Sequence, residues 1–256
     1  MLRVITENKL ELSCTTPIVF RLLPRLEPQQ QIQDLHYEVV GAERHEQVQD
    51  GAGNRLIRAL MQKGSSSVTI RFEGIECDRG SPLGSFVPIE ALPTEVLPYL
   101  APSRYCESDE FNSQTRAIVE GKASGLEQVE AICGMIAEQY DYCPGSSHQL
   151  LSAASVNQRR EGVCRDFAHL SIAMCRSLSL PTRYVVGYLA GLIPQDQHAW
   201  IEVFLGGQWQ AFDPTPGVED AERIRVAIGR DAADVAMMDQ FGPLPLSSRM
   251  QISVEV

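Results

Sequence analysis

Gly206 and Gly207 separate two stretches of alternating residues, HAWIEVFL and QWQAFD. A glycine pair between alternating runs signals a two-residue hairpin, because such turns need backbone conformations that glycine adopts freely. A turn centred there permits one register. Leu205 faces Gln208 and Phe204 faces Trp209. Further out, Trp200 faces Asp213 and His198 faces Thr215. His198 and Asp213 then lie diagonally on one sheet face. Diagonal Cα atoms are about 7–8 Å apart, so an imidazole and a carboxylate pointing the same way can meet. The register predicts a His198–Asp213 hydrogen bond. Trp200 follows His198 on that face and is expected to wall any site there.

The rest of the 256-residue chain changes period once. Residues 1 to 90 hold short β-branched or apolar runs: LRVIT, IVFRLL, LHYEVV, NRLIRAL and SVTIRFEG. Turn residues separate them, among them Pro24, Pro28 and the Asp50–Asn54 stretch. That spacing predicts an antiparallel β-sandwich-like module, with no chemistry of its own. Pro82, Pro88, Pro93, Pro98 and Pro102 crowd the next stretch, which reads as a Pro-rich connector over 91–110. From 111 the helical period takes over. Helices are expected over 111–121, over GLEQVEAICGMIAEQYDY and over 152–160. Leu126, Val129, Ile132 and Ile136 mark the apolar face of the second. A strand follows at 182–191, and MQISVEV at the end of the sequence could add an edge strand. The fold class is therefore α+β: a β-rich module over 1–90, a connector, and a mixed helix-and-sheet domain over 111–256.

GVCRDFAHLSIAMCRSLSLP predicts a helix over 163–178. Phe167, Leu170, Met174 and Leu178 form its buried stripe, and Pro181 stops it. Cys164 falls in the first turn, where free N–H groups and the macrodipole favour a thiolate. Gly162 offers no side chain to block the sulfur. The N–H groups of Val163 and Cys164 are placed to meet an oxyanion. A cysteine at a helix start is also an ordinary packing residue, as Cys133 and Cys175 are expected to be. A base and its orienter would separate the two readings. His198 and Asp213 supply that pair, giving a Cys–His–Asp order. His169 is five residues past Cys164, about 140° round the helix, and should point elsewhere. Asp166 suits the helix start as a structural charge.

The net charge of −11 argues against nucleic acid or an anionic membrane as partner, since both need basic patches. No signal-like N-terminus and no apolar run of about 20 residues is visible, which points to a cytoplasmic protein. Seven scattered cysteines without a CxxC pair fit reduced thiols. Cys143, His148, Cys164 and His169 could be drawn as a zinc site, but the paired spacings are missing. No cofactor or metal is expected.

GVCRDFAHLSIAMCRSLSLPTRYVVGYL, HAWIEVFLGGQWQAFDPTPG and IRVAIGRDAADV together resemble the bacterial transglutaminase-like superfamily, in particular its cysteine-protease branch with an N-terminal β-rich region. The cysteine lies in G-x-C-x-D-x-A, the histidine in H-A-W and the aspartate in D-P-T. The Asp50–Asn54 stretch resembles that N-terminal region more weakly. The resemblance implies a papain-like core, with a cysteine-bearing helix on an antiparallel sheet. It carries the catalytic roles to Cys164, His198 and Asp213, and a peptide or protein as substrate. No side-chain oxyanion donor is identifiable. The same triad serves hydrolysis of a peptide or isopeptide amide and transfer to an amine, and a non-catalytic interaction protein can keep the fold. Hydrolysis is the first expectation. The calcium-loop pattern is absent. Neither substrate identity nor oligomeric state has a signature here.

Overall fold

A computed structural model of the chain describes residues 1–77, 84–145, 150–218 and 221–256. Pro82 and His148 lie outside them.

The N-terminal part contains β1 (Leu2–Leu12), β2 (Thr16–Phe20), β3 (Gln30–Val40), β4 (Ala42–Gln49), β5 (Arg55–Met61) and β6 (Gly64–Glu76). Side chains alternate, as a half-buried strand requires. In β1, Leu2, Val4, Leu10 and Leu12 are buried, and Arg3 and Lys9 face out. Strand β4, AERHEQVQ, has no apolar alternation and escaped the sequence reading. It pairs at the edge of its sheet with β5.

The connector region carries three 3-10 segments, Ile89–Ala91, Thr94–Leu100 and Ser108–Glu110. Then come α1 (Asn112–Ile118), α2 (Leu126–Gln139), β7 (Asp141–Tyr142), α3 (Ala153–Arg159), β8 (Glu161–Gly162) and α4 (Cys164–Ser177). Strands β9 (Thr182–Leu189), β10 (His198–Leu205), β11 (Gln208–Phe212) and β12 (Arg223–Gly229) form an antiparallel sheet in the order β11-β10-β9-β12. Helix α4 packs on β9 and β10. Its Phe167, Leu170 and Met174 share one apolar core with Ile201, Val203 and Leu205. The opposite face of β10 presents His198, Trp200, Glu202 and Phe204.

The last two strands, β13 (Met238–Gln240) and β14 (Ser247–Glu255), return to the N-terminal sheets. β14 adds to β1 at a sheet edge and β13 adds to β2. The sheet orders are β14-β1-β6-β3 and β13-β2-β5-β4. A division at residue 111 therefore separates strands that hydrogen-bond one another.

Strand β12 ends the third sheet, and an edge strand presents unpaired backbone groups. Two buried carboxamides fill that role. Gln30 accepts from the Arg225 N–H at 2.8 Å and donates to the Arg225 carbonyl at 3.0 Å. Asn54 accepts from the Ile228 N–H at 2.8 Å and donates to its carbonyl at 2.9 Å. Gln195, in the loop before β10, does the same to Val254 of β14, at 3.3 and 2.8 Å.

A buried ion cluster lies beside them. The Glu202 carboxylate bridges Arg183 and Arg225, each at 2.5 Å. Burial alone would raise its pKa, but the two guanidiniums outweigh burial and bring it down to about 2.

Asn54→Ala leaves the buried Ile228 N–H unpaired and is expected to cost about 1–3 kcal/mol in urea unfolding. Unchanged stability would show that the clamp contributes nothing. The depressed Glu202 pKa makes a second contribution, present above the unfolded value of about 4.3 and lost as pH falls through about 2. Glu202→Gln should flatten the acid limb of stability measured against pH.

Candidate active site

Helix α4 begins with Val163 as N-cap, in extended conformation. Its N–H donates to Oδ2 of Asp166 at 3.1 Å, so a first-turn carboxylate satisfies one otherwise orphaned donor. Asp166 is fully buried and keeps Arg165 3.6 Å away. The position of Gly162 follows from this. A Cβ there would lie 2.8 Å from Cβ of Asp166. Its missing side chain makes room for the cap, where the sequence suggested open approach to the sulfur.

Cys164 follows, half-buried at the helix start. Burial pushes the Cys175 thiol up to about 12 and raises Cys106 and Cys133 strongly, which keeps those three protonated.

His198 opens β10 and pairs with Gly187 of β9. The hairpin has the register that its glycines dictate, Leu205 opposite Gln208 through Ile201 opposite Phe212. Nε2 of His198 lies 2.7 Å from Oδ2 of Asp213. An ionised carboxylate only accepts, so Nε2 carries a proton, and in the neutral ring Nδ1 is the acceptor. Nδ1 makes no well-aligned hydrogen bond. Cys164 is nonetheless close enough to act on the ring. Burial favours neutral imidazole, but Asp213 and then Cys164 outweigh it, and the pKa rises to about 9. A loose thiol–imidazole contact is usual where no substrate is bound.

Asp213 is held from two sides. The Thr215 N–H donates to Oδ1 at 3.0 Å, and Arg223 of β12 lies 3.7 Å from Oδ2. Trp200 stacks beside His198, centroids 6.3 Å apart and planes 18° off parallel. It is fully buried, with the Arg223 guanidinium 5.5 Å from its ring. Trp200 thus packs the base from the sheet side. Connector residues Pro93, Glu95 and Val96 wall a cavity of about 820 Å³ that reaches Asp213, Trp209 and Arg223.

His169 is enclosed elsewhere. Its ring lies between Tyr105 and Tyr184, centroids 5.3 and 5.2 Å away. Nδ1 meets the Leu151 carbonyl at 2.9 Å, and Nε2 accepts from the Ala232 N–H at 3.2 Å. Burial lowers its pKa to about 4, so it is neutral and structural. Among the described residues, no three His, Cys, Asp or Glu side chains gather as metal ligands.

Two neighbours escaped the sequence reading. Arg223 reaches Asp213 only through the pairing of β12 with β9. Tyr142 reaches Cys164 because β7 and β8, two residues each, pair in parallel. No local pattern marks either.

Residues 112–214 match the profile of the Transglutaminase-like superfamily. A crystal structure from Cytophaga hutchinsonii, of a protein whose name assigns it provisionally to the cysteine proteases, is 30% identical. It superposes with a TM-score of 0.85 over 99% of this chain and 90% of that one. The chain belongs to the transglutaminase-like superfamily. An uncharacterised protein of Mycobacterium leprae is 41% identical over 105 residues, covering 38% of this chain and 37% of that protein. One of Mycobacterium tuberculosis is 35% identical over 125 residues, covering 43% and 40%. The match spans about two fifths of these mycobacterial proteins. No helix among the described residues is long and apolar enough to cross a membrane.

The raised His198 pKa contributes stability that is complete below the unfolded value of about 6.5 and is lost as pH rises through about 9. Asp213→Asn removes the stronger of its two supports. The His198 midpoint, followed by NMR, should drop by at least one unit. A midpoint unmoved from the wild-type value would mean that Asp213 does not govern the ring.

Proposed function

We propose that the protein is a thiol-dependent acyl-transfer enzyme of the cysteine peptidase or amidase type, with Cys164 as nucleophile, His198 as base and acid, and Asp213 as orienter. One observation carries this reading: a single imidazole has its Nε2 on a buried carboxylate, its other nitrogen free of any well-aligned hydrogen bond, and a half-buried thiol at a helix start close enough to act on the ring.

The chemistry follows from the geometry. Nδ1 of His198 takes the thiol proton, and Asp213 stabilises the resulting imidazolium. The thiolate adds to an amide carbonyl of a peptide or protein. The N–H of Cys164 faces the oxygen on which charge develops. Collapse expels the amine, which takes the proton from Nδ1, and a thioester remains on Cys164. Water then attacks the thioester, giving its proton to His198, and the acid leaves with the thiol restored. All seven cysteines are free, which supports a reducing, cytoplasmic setting.

The first test is iodoacetamide alkylation of each cysteine, read by peptide mass spectrometry. Cys164 should react at least tenfold faster than exposed Cys14 and Cys77, and His198→Ala should abolish that advantage. Equal rates at the three thiols would sink the proposal. Casein incubated with and without methylamine then separates the outcomes, since hydrolysis leaves carboxylates and transfer leaves methylamides. Cys164→Ala should remove whichever product forms.

A further inference from the structure

The main-chain half of an oxyanion site is evident at Cys164, but one N–H is a weak cradle for a full negative charge. A second donor would have to lie beside that N–H, on the side away from the imidazole. Tyr142 lies beside that N–H. Its strand is fixed against the approach to the helix: Tyr142 pairs with Gly162, and the Cys143 N–H donates to the Gly162 carbonyl at 2.9 Å. The ring packs edge-on against Phe167 of α4, centroids 5.9 Å apart. The hydroxyl is thereby carried to within interaction range of the Cys164 backbone N–H and thiol. One phenol thus sits beside the N–H that an oxyanion needs.

We propose that Tyr142 is the side-chain oxyanion donor of this site, a catalytic residue that shares the developing charge with the Cys164 N–H. The inference rests on the thiol reading above. As the thiolate adds to the carbonyl carbon, the C=O π electrons move to oxygen. That oxygen takes over the Cys164 N–H, and the phenolic O–H turns onto it. When the C=O re-forms and the leaving group departs, both donors are released, and Tyr142 keeps its proton throughout. Burial first, and then Cys164, push the phenol up to about 12, so it stays a neutral donor through neutral and mildly alkaline pH. Tyr140, two residues earlier, does not compete, because its hydroxyl donates to Asn157 at 2.6 Å.

Two reagents separate this role from a structural one. Iodoacetamide alkylates sulfur by displacement at a saturated carbon and forms no oxyanion. p-Nitrophenyl acetate acylates it through a tetrahedral oxyanion, expelling p-nitrophenolate. Removing one oxyanion donor costs roughly 10²–10³ in rate for amide chemistry, and less for an activated ester. Tyr142→Phe keeps the ring on Phe167. It should slow acylation of Cys164 by p-nitrophenyl acetate about tenfold or more, with the iodoacetamide rate within about threefold of wild type. Equal loss with both reagents would make Tyr142 a packing residue. Faster reaction with both would make it a blocking group. Unchanged rates would make it a bystander. Each of these three overturns the proposal while leaving the nucleophile intact. A wild-type Cys164 unreactive toward iodoacetamide would overturn the thiol reading itself. Thermal melting of Tyr142→Phe guards against misfolding, and Tyr142→Trp, which restores an N–H donor, should recover part of the acylation rate.

Discussion

The edge of β12 is the constraint on which the rest depends. An edge strand offers unpaired N–H and C=O groups, and burying them unsatisfied is costly. Here the missing neighbour is assembled largely from side chains, with the Arg25 N–H adding one main-chain bond to the Arg225 carbonyl at 3.0 Å. Gln30 and Asn54 each present an amide, chemically a peptide group, to the main chain of Arg225 and Ile228. The two contacts flank the bulge between Arg225 and Ala227, where regular pairing with β9 is interrupted. The N-terminal module is thus seated on the site-bearing sheet by hydrogen bonds that ordinarily hold a sheet together. With the edge fixed, β12 holds Arg223 against Asp213.

That placement decides the electrostatics of the polar face. Glu202 lies between Arg183 and Arg225. The same Arg225 reaches Glu27 and Glu76 of the N-terminal part, so three carboxylates surround the two guanidiniums and leave no positive surplus. Toward the hairpin end, Asp213 is shared between His198 and Arg223, at 2.7 and 3.7 Å. The guanidinium is the more distant partner, so the carboxylate's main hydrogen bond goes to the ring. Helix α4 closes the other side. The buried guanidinium of Arg176, near its C-terminal end, donates to the carbonyls of Ala101, Thr182 and Arg230. Connector, β9 and the β12 exit are thereby tied to the helix that begins at Cys164.

Much of this was legible locally, where a short stretch dictates its own geometry. Two glycines fix the hairpin register, and register alone brings His198 onto Asp213. The stripe of Phe167, Leu170 and Met174 places Cys164 at a helix start. What escaped the sequence depends on distant partners. Asn54 meets Ile228 across 174 positions, and Gln30 meets Arg225 across 195. A lone Gln at a strand start or Asn in a loop has no pattern that announces such a contact. Gly162 shows a subtler failure: its smallness was legible, but its use, room for Asp166, follows from a cap geometry seen only in three dimensions.

The return of the chain to its starting sheet has a kinetic side. Arg3 faces Glu255, and Met238 faces Phe20, so β1 and β2 take their outermost neighbours from strands far along the chain. During synthesis the β1–β6 module emerges early with two edges unfilled. It must wait while the helices and the site-bearing sheet are made. Pairing across so long a stretch is slow and leaves those edges open to wrong partners. The exposed strand faces at that stage are largely charged, as Arg3, Glu7, Lys9 and Glu11 in β1 show, which discourages association between nascent chains. The site-bearing segment is in this sense an insertion between β6 and β13, closed off by the pairing of β14 with β1.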